Sequence, residues 1–260
     1  MTSSPVKCVP SVTRTSLLVH FLGSVWYACG VYYDHYYRND IPQFQRFGGR
    51  YQFLTQINFK VTFLASVFAL CVDVIQMTTK SLQRDVEITK DGYPPNTSIL
   101  IRIRDELISC WVYALCTIVP ILYWGLVLVD KKSMHSAALE KQVPLFGFWN
   151  HYVHSFPLLY VFVLITWVNY DNVSTRRMLF NCWALICTYL SWLWYCAQQN
   201  GFWTYPIIQK QTRGQFVVFL CVCVGVLVVL QLVGRKWSAS VWSPRRRDQE
   251  IKRSVGAKSE

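Results

Sequence analysis

Charged residues are scarce in this sequence: they make up 15% of its 260 residues, whereas an average soluble domain contains about 25%. Acidic residues are the rarer sign, with 14 Asp and Glu against 26 Lys and Arg, and the formal net charge is +12. Because 53% of the residues are hydrophobic, the composition excludes a disordered chain, a coiled coil and an ordinary cytosolic enzyme. It predicts a membrane protein that crosses the bilayer several times.

Patterns typical of disulfide frameworks and metal centres are also lacking. The ten cysteines include no C-x-x-C pair, and most of them lie inside apolar runs, where a thiol acts as a small hydrophobic side chain. Only five histidines are present, fewer than the di-iron desaturases and hydroxylases use, and a zinc or iron site needs three or four ligands. We therefore expect neither a metal ion nor another cofactor.

The sequence does contain six apolar runs, each close to the roughly 20 residues that a helix needs to cross the hydrocarbon core. The runs are continuous, whereas strands of a transmembrane barrel alternate between apolar and polar residues. They predict an all-α integral membrane protein: six transmembrane helices form one bundle, a single domain over 1–260, with flexible N-terminal residues 1–15 and a basic tail at 243–260. The runs are Ser16–Tyr33, Phe53–Met77, Leu107–Val129, Leu145–Val168, Leu179–Gln198 and Phe216–Val233.

The distribution of positive charge predicts how the helices are oriented. Lys and Arg number 17 in the segments on the side of the two termini and 8 in the loops on the other side, so the positive-inside rule places both termini in the cytosol. We expect the basic tail to contact anionic lipid head groups of an endomembrane or the plasma membrane, and we expect no nucleic-acid partner. Two glycosylation acceptor patterns, at Asn96 and Asn172, fall on the cytosolic side and are expected to carry no glycan.

Two sets of polar residues fall inside these runs, where a side chain that needs hydrogen bonds is costly and marks a functional site or a helix contact. The first set recurs every three or four residues and therefore shares one helix face. The sets are Thr55, Asn58, Thr62 and Ser66 in the second run, and Asn150, His151 and His154 in the fourth. For Thr62 and Ser66, helix packing with a bond to a carbonyl one turn back is the favoured interpretation.

A threonine hydroxyl and an imidazole at membrane depth suggest nucleophilic catalysis. The hydroxyl becomes a nucleophile only when a base removes its proton, and neutral histidine is the usual base near pH 7. Ser155 is a competing nucleophile, but neighbours on a helix do not face each other, so it would not face His154. On an untilted helix His154 lies roughly 14 Å into its run, whereas Thr55 begins its own. A tilt, a locally thinner bilayer or a later start of the fourth helix, at Pro144–Gly147, would bring the pair together.

Other groups for such a reaction are less clearly marked. Asn58 and Asn150 are candidates for stabilising an oxyanion, on the basis of their positions alone. Asp73 lies near the opposite end of the second run, too far away for its carboxylate to orient His154. The residues therefore predict a dyad, and whether a third residue orients His154 stays open.

Several segments resemble elements of the androgen-induced protein / androgen-dependent TFPI-regulating protein family. Gly48–Thr55 is similar to a G-G-x-aromatic-x-F-L-T element, and Asn150–Ser155 is similar to an N-H-x-x-H-T/S element. Supporting matches, in the same order, are Arg104-Asp105, Asp130 and Gly201–Pro206. The chain departs from the family pattern at Ser155, where threonine is frequent, and in its long second loop.

The resemblance implies a fold and an activity. Members of the family are six-span, all-helical membrane hydrolases that cleave fatty acid esters of hydroxy fatty acids with a threonine nucleophile and a histidine. Carried over residue by residue, the nucleophile is Thr55 and the histidine is His154, while His151 has an orienting or structural role. The expected partners are a lipid ester substrate and the bilayer from which it enters; whether the protein forms a homo-oligomer is open.

Two other classes of function stay open at this point. In a transporter or channel, the same polar residues would line a path across the membrane, although we find no inverted repeat and no pair of broken helices. In a non-catalytic scaffold that regulates other membrane proteins, the polar face would serve helix packing alone. Loss of ester turnover in detergent on mutation would distinguish an enzyme from both.

Overall fold

The computed structural model describes residues 8–9, 12–37, 41–79, 86–87, 98–129, 140, 143–170 and 173–256, the side chains of 8–9, 86–87 and 243–256 excepted. The two acceptor patterns at Asn96 and Asn172, the match at Asp130 and most of the N-terminal segment 1–15 lie outside these residues.

The described chain is almost entirely helical. Its helices are α1 (Arg14–Tyr37), α2 (Leu54–Thr78), α3 (Ile99–Glu106), α4 (Tyr113–Val129), α5 (Phe146–His154), α6 (Phe156–Trp167), α7 (Thr175–Asn200), α8 (Pro206–Gln209) and α9 (Arg213–Gly256). Two 3₁₀ turns, Pro42–Gln45 and Gly49–Gln52, precede α2, and a π-helical segment, Leu107–Val112, joins α3 to α4. One short antiparallel pair connects β1 (Cys8–Val9) with β2 (Val86–Glu87).

The described residues contain three helices that are long and apolar enough to cross a membrane. They are α2, the continuous helix Ile99–Val129 made of α3, the π-helical segment and α4, and the part of α9 from Arg213 to Trp242. The α1 and α7 helices have 24 and 26 residues, so they are long enough but less apolar. The prediction of an all-helical membrane protein is therefore confirmed. The predicted number of six spans is not confirmed by the length and composition of the described helices.

The fourth apolar run is broken into two helices. Ser155 separates α5 from α6, and Pro157 lies in the first turn of α6, where its missing N–H removes a bond that would continue the helix. Phe59 on α2 lies 5.9 Å, between ring centroids, from Trp149 on α5. Thr55 at the start of α2 contacts the last residue of α5, whereas Phe59 further along α2 contacts Trp149 near the start of α5, so the two helices run in opposite directions where they meet.

The turn that precedes α2 depends on a glycine. Gly48 has φ +85°, and a Cβ atom there would lie 2.6 Å from Sγ of Cys196 on α7. Any other residue would be strained in this left-handed conformation and would also clash. The close approach lets the Gly49–Gln52 turn pack against α7, so that α2 begins at a defined place in the bundle.

A buried charge cluster connects the helices at the other end of α2. Asp73 accepts hydrogen bonds from Nδ1 of His20 on α1 and from a terminal nitrogen of Arg104 on α3, both at 2.8 Å. Arg104 also pairs with Asp105 at 2.8 Å, and Tyr170 contacts Nε2 of His20. The carboxylate predicted to lie too deep to orient His154 thus ties three helices together.

We expect the Asp73→Ala variant to be strongly destabilised. Removing the carboxylate, which is 0% exposed, takes away the buried anion that Arg104 and His20 share, and breaking a buried ion pair typically costs about 3–5 kcal/mol. The Arg177→Ala variant is the matched control because the Arg177 side chain, paired with Glu106, is 58% exposed; an exposed pair contributes at most about 1 kcal/mol. Thermal unfolding in detergent measures both, and equal losses would contradict a structural role for this cluster.

Candidate active site

Thr55 and His154 lie within hydrogen-bond distance of each other. Oγ1 of Thr55, in the first turn of α2, is 3.2 Å from Nε2 of His154, the last residue of α5. The separation in depth expected for untilted helices does not keep them apart, because α5 ends at the level where α2 begins. Both side chains are half-buried.

The other nitrogen of His154 determines which form of the ring faces Thr55. Nδ1 lies 3.0 Å from the backbone oxygen of Asn150 and 3.0 Å from its side-chain Oδ1. Both are carbonyl oxygens, which can only accept, so Nδ1 carries the hydrogen. In the neutral imidazole, Nε2 then presents its lone pair to the Thr55 hydroxyl, as a general base requires.

Tyr123 on α4 also holds the His154 ring, and this contact was not predicted from the sequence. Its ring stacks on the His154 ring with centroids 3.4 Å apart and planes 7° apart, and its hydroxyl donates to Oδ1 of Asn150 at 2.6 Å. The ring and the amide together hold His154 in one orientation. A tyrosine in an apolar run carries little signal in a chain with 15 tyrosines.

The start of α2 is held by a second pair of tyrosines. The Tyr205 hydroxyl accepts from the backbone N–H of Leu54 at 3.0 Å and lies 2.9 Å from the Tyr189 hydroxyl. Tyr189 donates to the carbonyl of Gln52 at 3.2 Å. The first N–H groups of a helix lack partners within it, so the Tyr205 hydroxyl caps the turn that carries Thr55.

An apolar cavity opens beside Thr55. It has a volume of about 170 Å³ and lies between the start of α2 and helices α4, α7, α8 and α9. Thr55 and Tyr123 line it on the side of His154, whereas the rest of its wall is dominated by leucine, isoleucine and valine side chains. The Thr55 hydroxyl therefore lies between a basic nitrogen and a space suited to hydrocarbon.

His151 and Ser155 form a separate pair. Oγ of Ser155 lies 3.0 Å from Nδ1 of His151 and accepts from Nε1 of Trp124 at 3.1 Å. His151 is exposed, and neither residue of the pair lines the cavity. Among the described residues, the Ser155 hydroxyl contacts His151 and Trp124 and not His154.

The remaining polar residues of α2 lie deeper in the bundle. Oδ1 of Asn58 accepts from Thr62 at 3.2 Å and from Cys116 at 3.3 Å, while its Nδ2 has no hydrogen-bond partner in the described part of the chain. Ser66 donates to the carbonyl of Thr62 at 2.8 Å, the backbone bond expected for a packing residue. Within the same residues, no three His, Cys, Asp or Glu side chains converge to hold a metal ion.

Fold and site together define a helical membrane protein in which hydrogen bonds connect Thr55, His154 and Asn150 beside an apolar cavity. The sequence model of the FAR-17a/AIG1-like protein family matches residues 15–239, which is most of the chain and all of the described site. The chain belongs to this family. The resemblance identified from its sequence motifs is thereby confirmed.

Individual relatives are distant in sequence but similar in length. The androgen-dependent TFPI-regulating protein of Mesocricetus auratus is 25% identical over 238 residues, covering 88% of this chain and 96% of the relative. The human androgen-induced gene 1 protein is 22% identical over 222 residues, covering 82% and 86%. A UPF0641 membrane protein of Schizosaccharomyces pombe is 25% identical over 178 residues, covering 66% and 67%. No solved structure matches the chain.

Proposed function

We propose that this protein is an intramembrane hydrolase of lipid esters, with Thr55 as the nucleophile and His154 as the general base. The observation that carries the proposal is the 3.2 Å contact of Oγ1 of Thr55 with Nε2 of His154 beside an apolar cavity. Nucleophilic catalysis needs a hydroxyl, a base within reach of its proton and a group that orients the base. Asn150 has the contacts of that third group.

The first half of the reaction transfers the acyl group to the enzyme. Nε2 of His154 takes the Thr55 proton while Oγ1 attacks the ester carbonyl carbon. The tetrahedral intermediate then breaks its bond to the alcohol oxygen, which receives the proton from Nε2 and leaves as the free hydroxyl compound. An acyl-Thr55 ester remains.

The second half returns the enzyme to its resting form. His154 takes a proton from water as the water oxygen attacks the acyl-Thr55 carbonyl, and the bond to Oγ1 breaks. The carboxylic acid leaves, and Oγ1 of Thr55 recovers a proton from Nε2. No cofactor is needed, because both steps are proton transfers coupled to acyl transfer.

The oxyanion formed in each step needs donors. Oδ1 of Asn150 already accepts hydrogen bonds from His154 and Tyr123, so we assign this oxygen to orienting the His154 ring. Asn58 is one turn after Thr55 on α2, and its Nδ2, which has no hydrogen-bond partner in the described part of the chain, is the donor we propose for the oxyanion. Because Asn58 is buried and does not line the cavity, its side chain must turn towards Thr55 to reach the oxyanion. Loss of one such donor typically raises the barrier by about 3 kcal/mol.

The substrates we propose are lipids with an ester between two long apolar parts, such as fatty acid esters of hydroxy fatty acids. Such molecules dissolve in the bilayer and reach the site sideways between helices. Large apolar side chains are exposed on α1, α6 and α7 as well as on the three apolar helices, as expected for lipid contact. We therefore propose that α1, the α5–α6 pair and α7 also cross the membrane, giving six spans with both termini in the cytosol.

We expect the Asn150→Ala variant to lose about fivefold in kcat/KM. The side-chain acceptor for Nδ1 of His154 disappears, and such a hydrogen bond typically contributes about 1 kcal/mol; the backbone oxygen of Asn150 still accepts from Nδ1. The Asn150→Asp variant keeps an acceptor at this position and is expected to retain most of the activity. A complete loss of activity in both variants would contradict an orienting role.

The proposed function is tested by incubating the purified protein in detergent with a panel of lipid esters and measuring the released acid and alcohol. Turnover in detergent supports an enzyme, because a transporter acts only across a sealed membrane. A folded, monodisperse protein that hydrolyses none of the esters, but moves a solute into sealed vesicles or acts only by binding another membrane protein, would overturn the proposal.

A further inference from the structure

The cavity beside Thr55 has a polar end and an apolar end. Its tyrosines, Tyr123, Tyr189 and Tyr205, are all in contact with the residues that hold His154 or the start of α2. Away from them the wall consists of aliphatic side chains, one phenylalanine, Phe219, and one cysteine, Cys223. A hydrocarbon chain can enter this part without loss, whereas a polar group would leave its hydrogen bonds behind.

The direction of the cavity follows from the helices that line it. On α4 its lining extends from Leu126 back to Leu115, and Tyr123, which stacks on His154, lies eight residues from the Leu115 end. On α9 it extends from Phe219, near the start of that helix, to Leu227. Eight residues of helix correspond to about 12 Å, so the cavity reaches about 12 Å from the level of the Thr55 site into the bundle.

Three leucines close the far end. Leu115, Leu185 and Leu227, one each from α4, α7 and α9, line the cavity and belong to one buried cluster that continues beyond it. They are 0%, 8% and 3% exposed. Because packed interiors leave few voids, a chain that reaches these residues has no continuation. We name these three residues the leucine floor.

We propose that this cavity binds the acyl chain that becomes attached to Thr55, and that the leucine floor limits the enclosed chain to about ten carbons. An extended chain advances ~1.2 Å per bond, the value implied by ~3.6 Å per three-bond residue of extended backbone, so about 12 Å holds about ten. The alcohol half of the ester then lies towards His154, which must return a proton to it. This inference rests on the proposed function of Thr55.

Binding can be separated from turnover by using the Thr55→Ala protein. In detergent it is incubated with saturated fatty acids of six to sixteen carbons that carry a photoreactive diazirine at the far end, and the adducts are mapped by peptide mass spectrometry. We expect the labelling yield to rise with length, by up to about fourfold per methylene, to reach a maximum near ten carbons and to fall beyond it. The ten-carbon probe is expected to label residues around the leucine floor.

Replacing a residue of the leucine floor with a smaller one should shift the chain length at which the labelling yield is highest. The Leu227→Ala variant, made in the Thr55→Ala background, is expected to prefer chains about three carbons longer, because the truncation opens space at the end of the cavity. Leu185→Ala serves as the second variant if the first does not fold. The matched control is Val229→Ala, on the same helix but 58% exposed and outside the cavity, which should leave the profile unchanged.

The outcomes separate this inference from the proposed function. A yield that rises to sixteen carbons without a maximum, or identical profiles for the floor and control variants, would overturn the inference even if the wild-type protein hydrolyses esters. A maximum that shifts with Leu227 or Leu185 supports the acyl site, even if the wild-type protein shows no turnover and the hydrolase proposal fails.

Discussion

Replacing Thr55 with alanine is expected to lower kcat/KM for lipid-ester hydrolysis by at least about 10⁴-fold, to the level of the buffer reaction. The alanine has no oxygen to attack the carbonyl, and loss of a nucleophile removes the covalent pathway altogether. Release of the free acid from a lipid ester, followed by mass spectrometry, measures the effect. Because Thr55 is half-buried and its methyl group resembles the alanine side chain, we expect the variant to fold.

Two further variants make this result specific. Ser155→Ala removes the other hydroxyl that contacts a histidine in the site, and we expect it to change the rate less than tenfold, because Ser155 does not line the cavity. Thr55→Ser keeps a hydroxyl at the reacting position and is expected to retain measurable activity. If Ser155→Ala abolished turnover and Thr55→Ala did not, Ser155 with His151 would be the catalytic pair.

The His154→Ala variant is expected to lose about 10³–10⁴-fold in kcat. Without Nε2, no base among the described residues lies within reach of the Thr55 hydroxyl, and general base catalysis typically contributes 10²–10⁴-fold. His154 also returns a proton to the leaving alcohol, and the loss of this step lowers the rate further. His151→Ala is the matched control, three residues away on the same helix, and is expected to keep activity within about tenfold. Rates for both are measured on one lipid ester at saturating concentration.

The pattern across substrates gives a second criterion for His154. An ester with a good leaving group, such as a nitrophenyl ester, needs no proton on the departing oxygen, so the His154→Ala variant should lose less on it than on a lipid ester. Equal losses for both esters, or a larger loss in His151→Ala, would contradict the role proposed for His154.

Composition and apolar runs were sufficient to predict the class of protein, because they are set by the bilayer as solvent, and the motifs at Gly48–Thr55 and Asn150–Ser155 were sufficient to indicate its family. The sequence was less informative about the number of crossing helices. Tyrosine and tryptophan lower the apolarity of α1 and α7, and Ser155 with Pro157 divides the fourth run, so length and composition alone support three spans.

Some contacts of the candidate site could be predicted from local sequence spacing, whereas others join residues that are distant in the sequence. Asn150 and His154 are four residues apart on one helix, and this spacing alone indicates that they can bond. The meeting of the end of α5 with the start of α2, by contrast, depends on packing of residues such as Phe59 against Trp149, and the stacking of Tyr123 on His154 joins two helices. No local pattern encodes such contacts. The catalytic roles of Thr55 and His154 stay predictions.

Trapping the acyl-enzyme tests the central claim most directly. Wild-type protein is mixed with an excess of a lipid ester, quenched in acid within a fraction of its turnover time and digested for peptide mass spectrometry. The account predicts a peptide that carries the acyl group as an ester on Thr55, and its absence from the His154→Ala protein quenched at the same time. Turnover that proceeds with the acyl group on Ser155, or with no acylated residue at any time, would contradict it.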